Sequence, residues 1–394
     1  MSQIEEVIER LCPDGVPYET LRTVAQISGR NIQPSAMGDA TVTVYSLPAF
    51  DNNRTAERLI GSDVGSAKTA LAHPTVLVAK LNPHIPRVWK LASIPNNSYS
   101  SPEFFPLVPD PNRLDLGFLY YFISTQLGKL ASTVTGSTNS HKRLHREDFL
   151  GLRIPVPPLE VQHEIVKILD TFTDLEAELE AELEARRQQY HYCQRLLLSP
   201  KVSRSVPLTL GDIGKVSMCK RVFKSQTSEE GEVPFFKIGT FGEQANSFIS
   251  RELFENYRMN YPFPKKGDVL ISAAGTIGKS ITYDGAPAYF QDSNIVWIDN
   301  NEKIVKNSYL RYWYRTVSWT TDGSIIRRLY NDQIRRTKIL IPPIAEQERI
   351  VSILDTFDAL VNDLNSGLPA ELNARRQQYE YYRDKLLTFK ELKS

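Results

Sequence analysis

The sequence predicts a mixed α/β protein. Two globular α/β domains are expected to be separated and joined by two long antiparallel coiled-coil helices, pseudo-twofold from an internal duplication. Three observations lead there. A stretch running from Leu152 to Ser199 recurs at the C-terminus, sharing Pro157-Pro158 with Pro342-Pro343 and Ile168-Leu169-Asp170-Thr171-Phe172 with Ile353-Leu354-Asp355-Thr356-Phe357. It also shares Ala185-Arg186-Arg187-Gln188-Gln189-Tyr190 with Ala374-Arg375-Arg376-Gln377-Gln378-Tyr379. Each copy then carries apolar residues at alternating spacings of three and four, the signature of a helical seam. Finally, the sequence ahead of each copy is rich in β-branched and aromatic runs punctuated by Pro and Gly, and its start is duplicated too: Val16-Pro17-Tyr18 is echoed by Val206-Pro207-Leu208. The bounds expected from this are a first globular domain over 1–153, a central helix over 154–200, a second globular domain over 201–340 and a C-terminal helix over 341–394.

A chain of 394 residues is long enough for two or three such domains, each with its own core. No apolar run approaches the ~18 residues of a membrane span, and MSQIEEVIERL is acidic and amphipathic, unlike a secretion signal. Cys12, Cys193 and Cys219 are scattered and form no disulfide framework, which suits a reducing, cytoplasmic setting with no membrane contact. The net charge of +1 hides an uneven distribution: residues 154–200 carry −5 and residues 201–340 carry +7. A domain at +7 suits a polyanion, and a solvated basic surface is the plainer reading.

Taken in order, residues 1–11 read as a helix and Pro13-Asp14-Gly15 as a turn. Val42–Tyr45 and Thr75–Lys80 read as strands, and Leu116–Leu130 as a helix with Leu119, Phe122, Ile123 and Leu127 on one face. Ser137–Arg146 follows as a polar, basic loop. Its Ser137, Thr138, Asn139, Lys142 and Arg143 suit phosphate and base-edge contacts. Past Ile154-Pro155-Val156-Pro157-Pro158, which prolines hold extended, neither Pro nor Gly occurs from Leu159 to Ser199. The seam there is read as Ile165, Ile168, Phe172, Leu175, Leu179, Leu183, Arg186, Tyr190, Cys193 and Leu197 on a helix roughly 55–60 Å long. Its middle is a tandem tetrad, Leu-Glu-Ala-Glu at Leu175 and again at Leu179.

The second globular segment shows strand signals at Phe235–Ile238, Asp268–Ser272, Lys279–Tyr283 and Asn294–Ile298, and an aromatic-faced helix near Ser308–Ser318. Gly323–Asp332 stands where Ser137–Arg146 stands in the first half, with Leu144 and Leu329 corresponding. Its Arg327 and Arg328 are candidates for bidentate contact with guanine or phosphate. The second seam runs through Ile350, Ile353, Phe357, Leu360, Leu364, Leu368, Leu372, Arg375, Tyr379, Tyr382 and Leu386. Four extra residues around Ser366-Gly367-Leu368-Pro369 are expected to break or kink it.

Few motifs carry chemistry. Gly275-Thr276-Ile277-Gly278-Lys279-Ser280 falls short of a nucleotide-binding loop, since Ala273 stands where the first glycine is needed and a strand-like ITYDG follows. A tight turn is expected, with Thr276 and Lys279 beside nucleic acid. His141 and His145 lack cysteine neighbours, so no metal site is expected. No nucleophile–base pair, carboxylate cluster or cofactor loop stands out. The chain reads as a binder without catalysis of its own.

Gly267–Lys279 (GDVLISAAGTIGK), Gln291–Ile298 (QDSNIVWI), Ile339–Asp355 (ILIPPIAEQERIVSILD) and Ala374–Leu387 (ARRQQYEYYRDKLL) resemble the DNA-specificity subunit of type I restriction–modification systems. The Pro-Pro-x-x-x-Gln helix starts at Pro157–Gln162 and Pro342–Gln347 strengthen the resemblance, which covers essentially the whole chain. Val161 stands where the second copy has Glu346, a departure counted as a small loss at that helix start. The resemblance implies that each globular unit is a target-recognition domain reading one half of a split site in double-stranded DNA. It implies that the helices act as spacer and docking surface for two modification (methyltransferase) subunits, through Ile165, Phe172, Leu175, Leu179, Leu183, Tyr190, Ile350, Phe357, Leu360, Leu372 and Tyr379. No cofactor is expected on this chain: S-adenosylmethionine would come with the modification subunits, and ATP and Mg with restriction (translocase/nuclease) subunits. The alternatives are a self-contained restriction or modification enzyme and a coiled-coil scaffold.

Overall fold

The computed structural model describes residues 3–133, 142–199, 205–319, 328–363 and 365–392. The chain divides into two compact units, one of residues 1–179 with 372–394 and one of residues 180–371. In unit 1 the elements before the long helix are α1 (Gln3–Leu11), β1 (Tyr18–Thr20), α2 (Leu21–Val24), β2 (Ala25–Ile27), β3 (Asn31–Ile32), α3 (Pro34–Met37), β4 (Thr41–Tyr45), α4 (Leu47–Asp51), β5 (Glu57–Ile60), β6 (Lys68–Leu71), β7 (Thr75–Ala79), β8 (Val88–Leu91), β9 (Ser98–Ser100), β10 (Phe104–Pro109), α5 (Leu116–Thr133), α6 (Arg146–Leu150) and β11 (Arg153–Pro155). An antiparallel sheet in the order β2-β10-β7-β8 forms the centre.

All five residues of β7, TVLVA, are buried, because both faces of this strand are covered. Val76 and Val78 face the α5 side with Phe118, Leu119, Phe122 and Ile123. Leu77 and Ala79 alternate to the other side with Tyr45, Trp89 and Phe104. A second sheet, β3-β6-β9-β4-β5, is antiparallel except for β4 against β9.

Unit 2 repeats the plan. It contains β12 (Val206–Thr209), α8 (Leu210–Ile213), β13 (Gly214–Ser217), β14 (Val233–Phe236), β15 (Phe248–Ile249), α9 (Arg251–Asn260), β16 (Val269–Ser272), β17 (Ser280–Thr282), β18 (Tyr289–Phe290), β19 (Ile295–Asn300), α10 (Asn307–Tyr314), α11 (Asn331–Arg336) and β20 (Lys338–Ile341). Its central sheet runs β13-β19-β16-β17, the same order as in unit 1. The β12–β20 ribbon matches β1–β11, and β14 lies parallel to β18 as β4 does to β9. The duplication therefore extends through the globular parts, where sequence likeness is weak. Among the described residues the side sheets differ, with five strands in unit 1 and three in unit 2.

The central helix, α7 (Leu159–Leu197), spans 39 residues without interruption. The second copy is two helices, α12 (Ile344–Asn362) and α13 (Leu368–Leu386). The expected break is real and has a steric cause. A Cβ on Gly367 would lie 2.5 Å from the Ala359 carbonyl oxygen and 2.6 Å from that of Leu360, so only glycine closes the end of α12. Pro369 then sits in the first turn of α13, where its missing N–H costs nothing.

Each Pro-Pro-led helix is fastened by its glutamine. Gln162 is fully buried. Its amide donates to the Pro157 carbonyl at 2.7 Å and the Arg113 carbonyl at 2.8 Å, and its Oε1 accepts from the Asp115 N–H at 2.8 Å. Gln347, also fully buried, does the same with Pro342 at 2.8 Å, Ile304 at 3.0 Å and the Lys306 N–H at 2.8 Å. One residue type thus ties the proline turn to the segment that launches α5 or α10. The aspartate of the shared Ile-Leu-Asp-Thr-Phe is fastened likewise. Asp170 accepts from Tyr121 Oη at 2.5 Å and Lys90 Nζ at 3.1 Å, and Asp355 accepts from Tyr312 Oη at 2.5 Å and from Arg311.

The predicted seam needs correction. In unit 1 the buried row of α7 is Val161, Ile165 and Leu169, all in the core with Phe118 and Phe122. Ile168 is only half-buried. The helix beds on its own globular unit there, so the inward row follows i, i+4 steps and not the heptad alternation. Val161 fills that core, so its difference from Glu346 is no loss. Ile165 and Ile350 are fully buried and Leu183, Tyr190 and Leu372 nearly so, which removes them as docking surface for another chain. Leu175 (40% exposed) and Leu360 (38%) remain accessible, with Leu179 and Phe357 intermediate.

Antiparallel pairing holds within unit 1. Phe172 stacks on Tyr382 with ring centroids 5.7 Å apart and approaches Tyr379 at 6.4 Å, while Glu176, one turn on, pairs with Arg376 at 2.6 Å. In unit 2 the equivalent tyrosine, Tyr190, donates to Asp358 at 3.1 Å, and burial pushes its hydroxyl up to about 12. Phe172→Ala is expected to destabilise unit 1 by about 1–2 kcal/mol, the loss of a half-buried aromatic contact. A urea denaturation midpoint checks it.

Candidate nucleic-acid interface

The interface is built where the central sheet's buried strand leaves the core. In unit 2, β16 turns into β17 through a hairpin: the Gly278 N–H donates to the Ser272 carbonyl at 3.0 Å and the Ser272 N–H to the Lys279 carbonyl at 2.9 Å. Gly275 (φ +64°) and Gly278 (φ +82°) take the left-handed backbone this turn needs. A Cβ at Gly278 would meet the Trp319 indole nitrogen at 2.3 Å. The Gly-rich stretch is thus a strand–strand turn, as expected, and presents no helix N-terminus to a nucleotide.

The segment carrying Arg328 is clipped to this hairpin. The Leu329 N–H donates to the Ala273 carbonyl at 2.8 Å, and Arg328 forms a single bridge with Ala274. The Arg328 guanidinium donates to the Ser293 carbonyl at 3.2 Å and lies 5.9 Å from the Tyr330 ring centre. Lys279 Nζ is 3.6 Å from Glu243. The fold therefore brings Thr276, Lys279 and Arg328 to one rim.

Unit 1 repeats the clip, again with an arginine at the bridge and a leucine after it, but with other side chains around them. The Leu144 N–H donates to the Lys80 carbonyl at 2.8 Å, the Asn82 N–H to the Lys142 carbonyl at 2.9 Å, and Arg143 bridges Leu81. Arg143 pairs with Glu103 at 3.0 Å. Lys80 stacks over the Phe105 ring at 4.6 Å and donates to the Pro102 carbonyl at 2.5 Å. Burial lowers its pKa first. Glu103 opposes that shift, and the positive charges of Arg143 and Arg146 add to it. Cations are therefore concentrated here, as a phosphate-tracking rim needs.

Lys142 and Arg143 lie on this rim. Ser137, Thr138, Asn139 and Arg327 fall outside the described residues. Sequence reasoning missed Lys80, a single cation after a buried strand with no motif to mark it. Among the described residues no group of three His, Cys, Asp or Glu side chains is placed to hold a metal ion. The Cys219 thiol is pushed up to about 12 by burial, which makes it a packing residue and not a nucleophile. Among the described residues no helix is long and apolar enough to cross a membrane.

A family model described as the type I restriction modification DNA specificity domain matches residues 59–185 and 204–374. Over 292 residues the chain is 46% identical to a putative type I restriction enzyme specificity subunit of Haemophilus influenzae, covering 72% of this chain and 74% of that one. It is 31% identical over 300 residues to a type I restriction enzyme specificity subunit of Escherichia coli, covering 71% and 72%. Its fold is similar to the crystal structure of the HsdS subunit from Thermoanaerobacter tengcongensis (TM-score 0.53, 18% identity, 95% of this chain and 97% of that one). It is also similar to a chain from a study of complex assembly and conformational transition in the type I R-M system (TM-score 0.65, 17% identity, 95% and 98%).

Proposed function

This chain belongs to the type I restriction–modification DNA specificity family, and on that premise we propose that it is the non-catalytic subunit that reads a bipartite DNA site for its complex. The observation that carries this is the repeated clip. Two units share one sheet order and hold an arginine at the same topological position, Arg143 in one and Arg328 in the other, yet the cations around it differ: Lys80 stands where the other unit has Ala273, and Lys279 closes the hairpin of unit 2. Equal scaffolds with unequal rims suit two half-sites of different sequence.

In this reading modification subunits dock along the helices, where Leu175, Leu360, Tyr192 and Tyr381 are exposed. They supply S-adenosylmethionine and the methyl transfer. Restriction subunits bring ATP and Mg. No side chain described here needs to do more than bind and orient DNA. The test is a binding assay with and without the modification subunits. The expected result is sequence-selective binding by the assembled complex that weakens steeply with salt, and no methylation by the chain alone. Methylation by the purified chain unaided would contradict the assignment.

Arg328→Ala is expected to cost about 1–3 kcal/mol of binding and to relax one position of one half-site if the guanidinium reads a base. Binding to a panel of single-position site variants reads this out. An equal loss on every duplex would assign Arg328 to a phosphate.

A further inference from the structure

A polar groove in unit 2, lined in part by Arg221, Lys224, Lys237, Asn246 and Asp292, holds an arginine braced by a carboxylate. We propose that Arg221 reads a guanine in the half-site recognised by unit 2, with Asp292 as the positioning residue that sets its guanidinium. The proposal rests on the DNA-reading function above and adds a base contact that neither the repeats nor the motifs indicated.

Arg221 Nε lies 3.4 Å from Asp292 Oδ2. The arginine side chain is 69% exposed and the aspartate 18%. The carboxylate is therefore the fixed member and the guanidinium the presented one. Both are anchored on either side of the groove. Asp292 follows Tyr289-Phe290, which are buried, and the next residue, Gln291, donates its N–H to the Phe236 carbonyl at 2.9 Å and accepts from the Ile238 N–H at 2.9 Å. The Ser293 hydroxyl also reaches Asp292 Oδ2, at 3.4 Å. On the arginine side, the Lys220 carbonyl accepts from Tyr289 Oη at 3.0 Å and Val222 packs against the core, so the backbone is held before and after Arg221.

The guanidinium lies nearest its carboxylate at Nε, and the largely exposed side chain presents its N–H fork to the groove. That fork matches O6 and N7 of guanine across the major groove. A lysine ammonium reaches the same acceptors only as a single flexible point donor, without the planar fork. Lys224 and Lys237, on the same groove, supply charge for the flanking phosphates. As a half-exposed ion pair, Arg221–Asp292 adds little to stability, so its role shows in selectivity.

The test uses the chain assembled with its modification subunits on duplexes carrying its own site. Each guanine in turn is replaced by 7-deazaguanine, which removes the N7 acceptor and keeps base pairing. The expected result is one guanine, in one half-site, whose replacement weakens wild-type binding roughly ten- to a hundred-fold and leaves Arg221→Ala binding unchanged. Asp292→Asn should reduce the same discrimination with thermal stability retained. The proposal is overturned if Arg221→Ala responds to every replacement as wild type does, or if it loses the same factor on unrelated duplexes. If the wild-type complex prefers no duplex at all, the parent reading fails and this one with it.

Discussion

Gln347→Leu and Gln162→Leu are each expected to destabilise their unit by about 2–3 kcal/mol, seen as a lowered urea midpoint. Leucine fills similar volume but strands three backbone groups. In unit 2 these are the carbonyls of Pro342 and Ile304 and the N–H of Lys306. In unit 1 they are the carbonyls of Pro157 and Arg113 and the N–H of Asp115. The buried proline carbonyl left without a partner costs about 1–3 kcal/mol, and the two part-buried groups of each lock add less. The penalty also reaches geometry, because the lost bonds fix the angle at which the helix leaves its proline turn. A change below about 1 kcal/mol in either variant would mean that water replaces the amide and that the lock is incidental.

Deleting Leu179–Glu182 is expected to change specificity without harming either unit. The boundary between the units falls between Leu179 and Glu180, and Glu180, Ala181 and Glu182 are exposed, so the cut removes little core. Four residues shorten a helix by ~6 Å and turn it by about 40° beyond a full circle. In DNA that equals about two base pairs of rise, at ~3.4 Å each, and about one base pair of twist. The gap between half-sites should therefore shrink by one or two base pairs while both half-sites stay the same. Methylation mapping with the deleted chain reads this directly. An unchanged gap would make the tetrad ordinary solvated helix.

The helices and the duplication were legible because periodicity and repetition survive in sequence. Proline and glycine mark the break between α12 and α13 because each acts locally, through a missing N–H and a missing Cβ. The seam was less legible. Its phase is set by what the helix beds on, and the burial of Leu169 in place of Ile168 depends on α5, far away in sequence. The shared sheet order was invisible, since strands of three to six residues leave no repeat when their side chains differ. The rim was half legible: Arg328 and Lys279 lay in suggestive stretches, but Lys80 and Arg221 are single cations that only the fold gathers. The glutamines stand out in sequence as motif letters, and their physical role lies in the backbone groups they bridge.

The most direct measurement is genome-wide mapping of methylated positions in a strain carrying this gene with its modification subunits. The expected result is a motif of two unlike half-sites separated by a fixed, unspecified gap, lost when the chain is deleted. A single contiguous motif, or a methylation pattern that persists without the chain, would contradict the account.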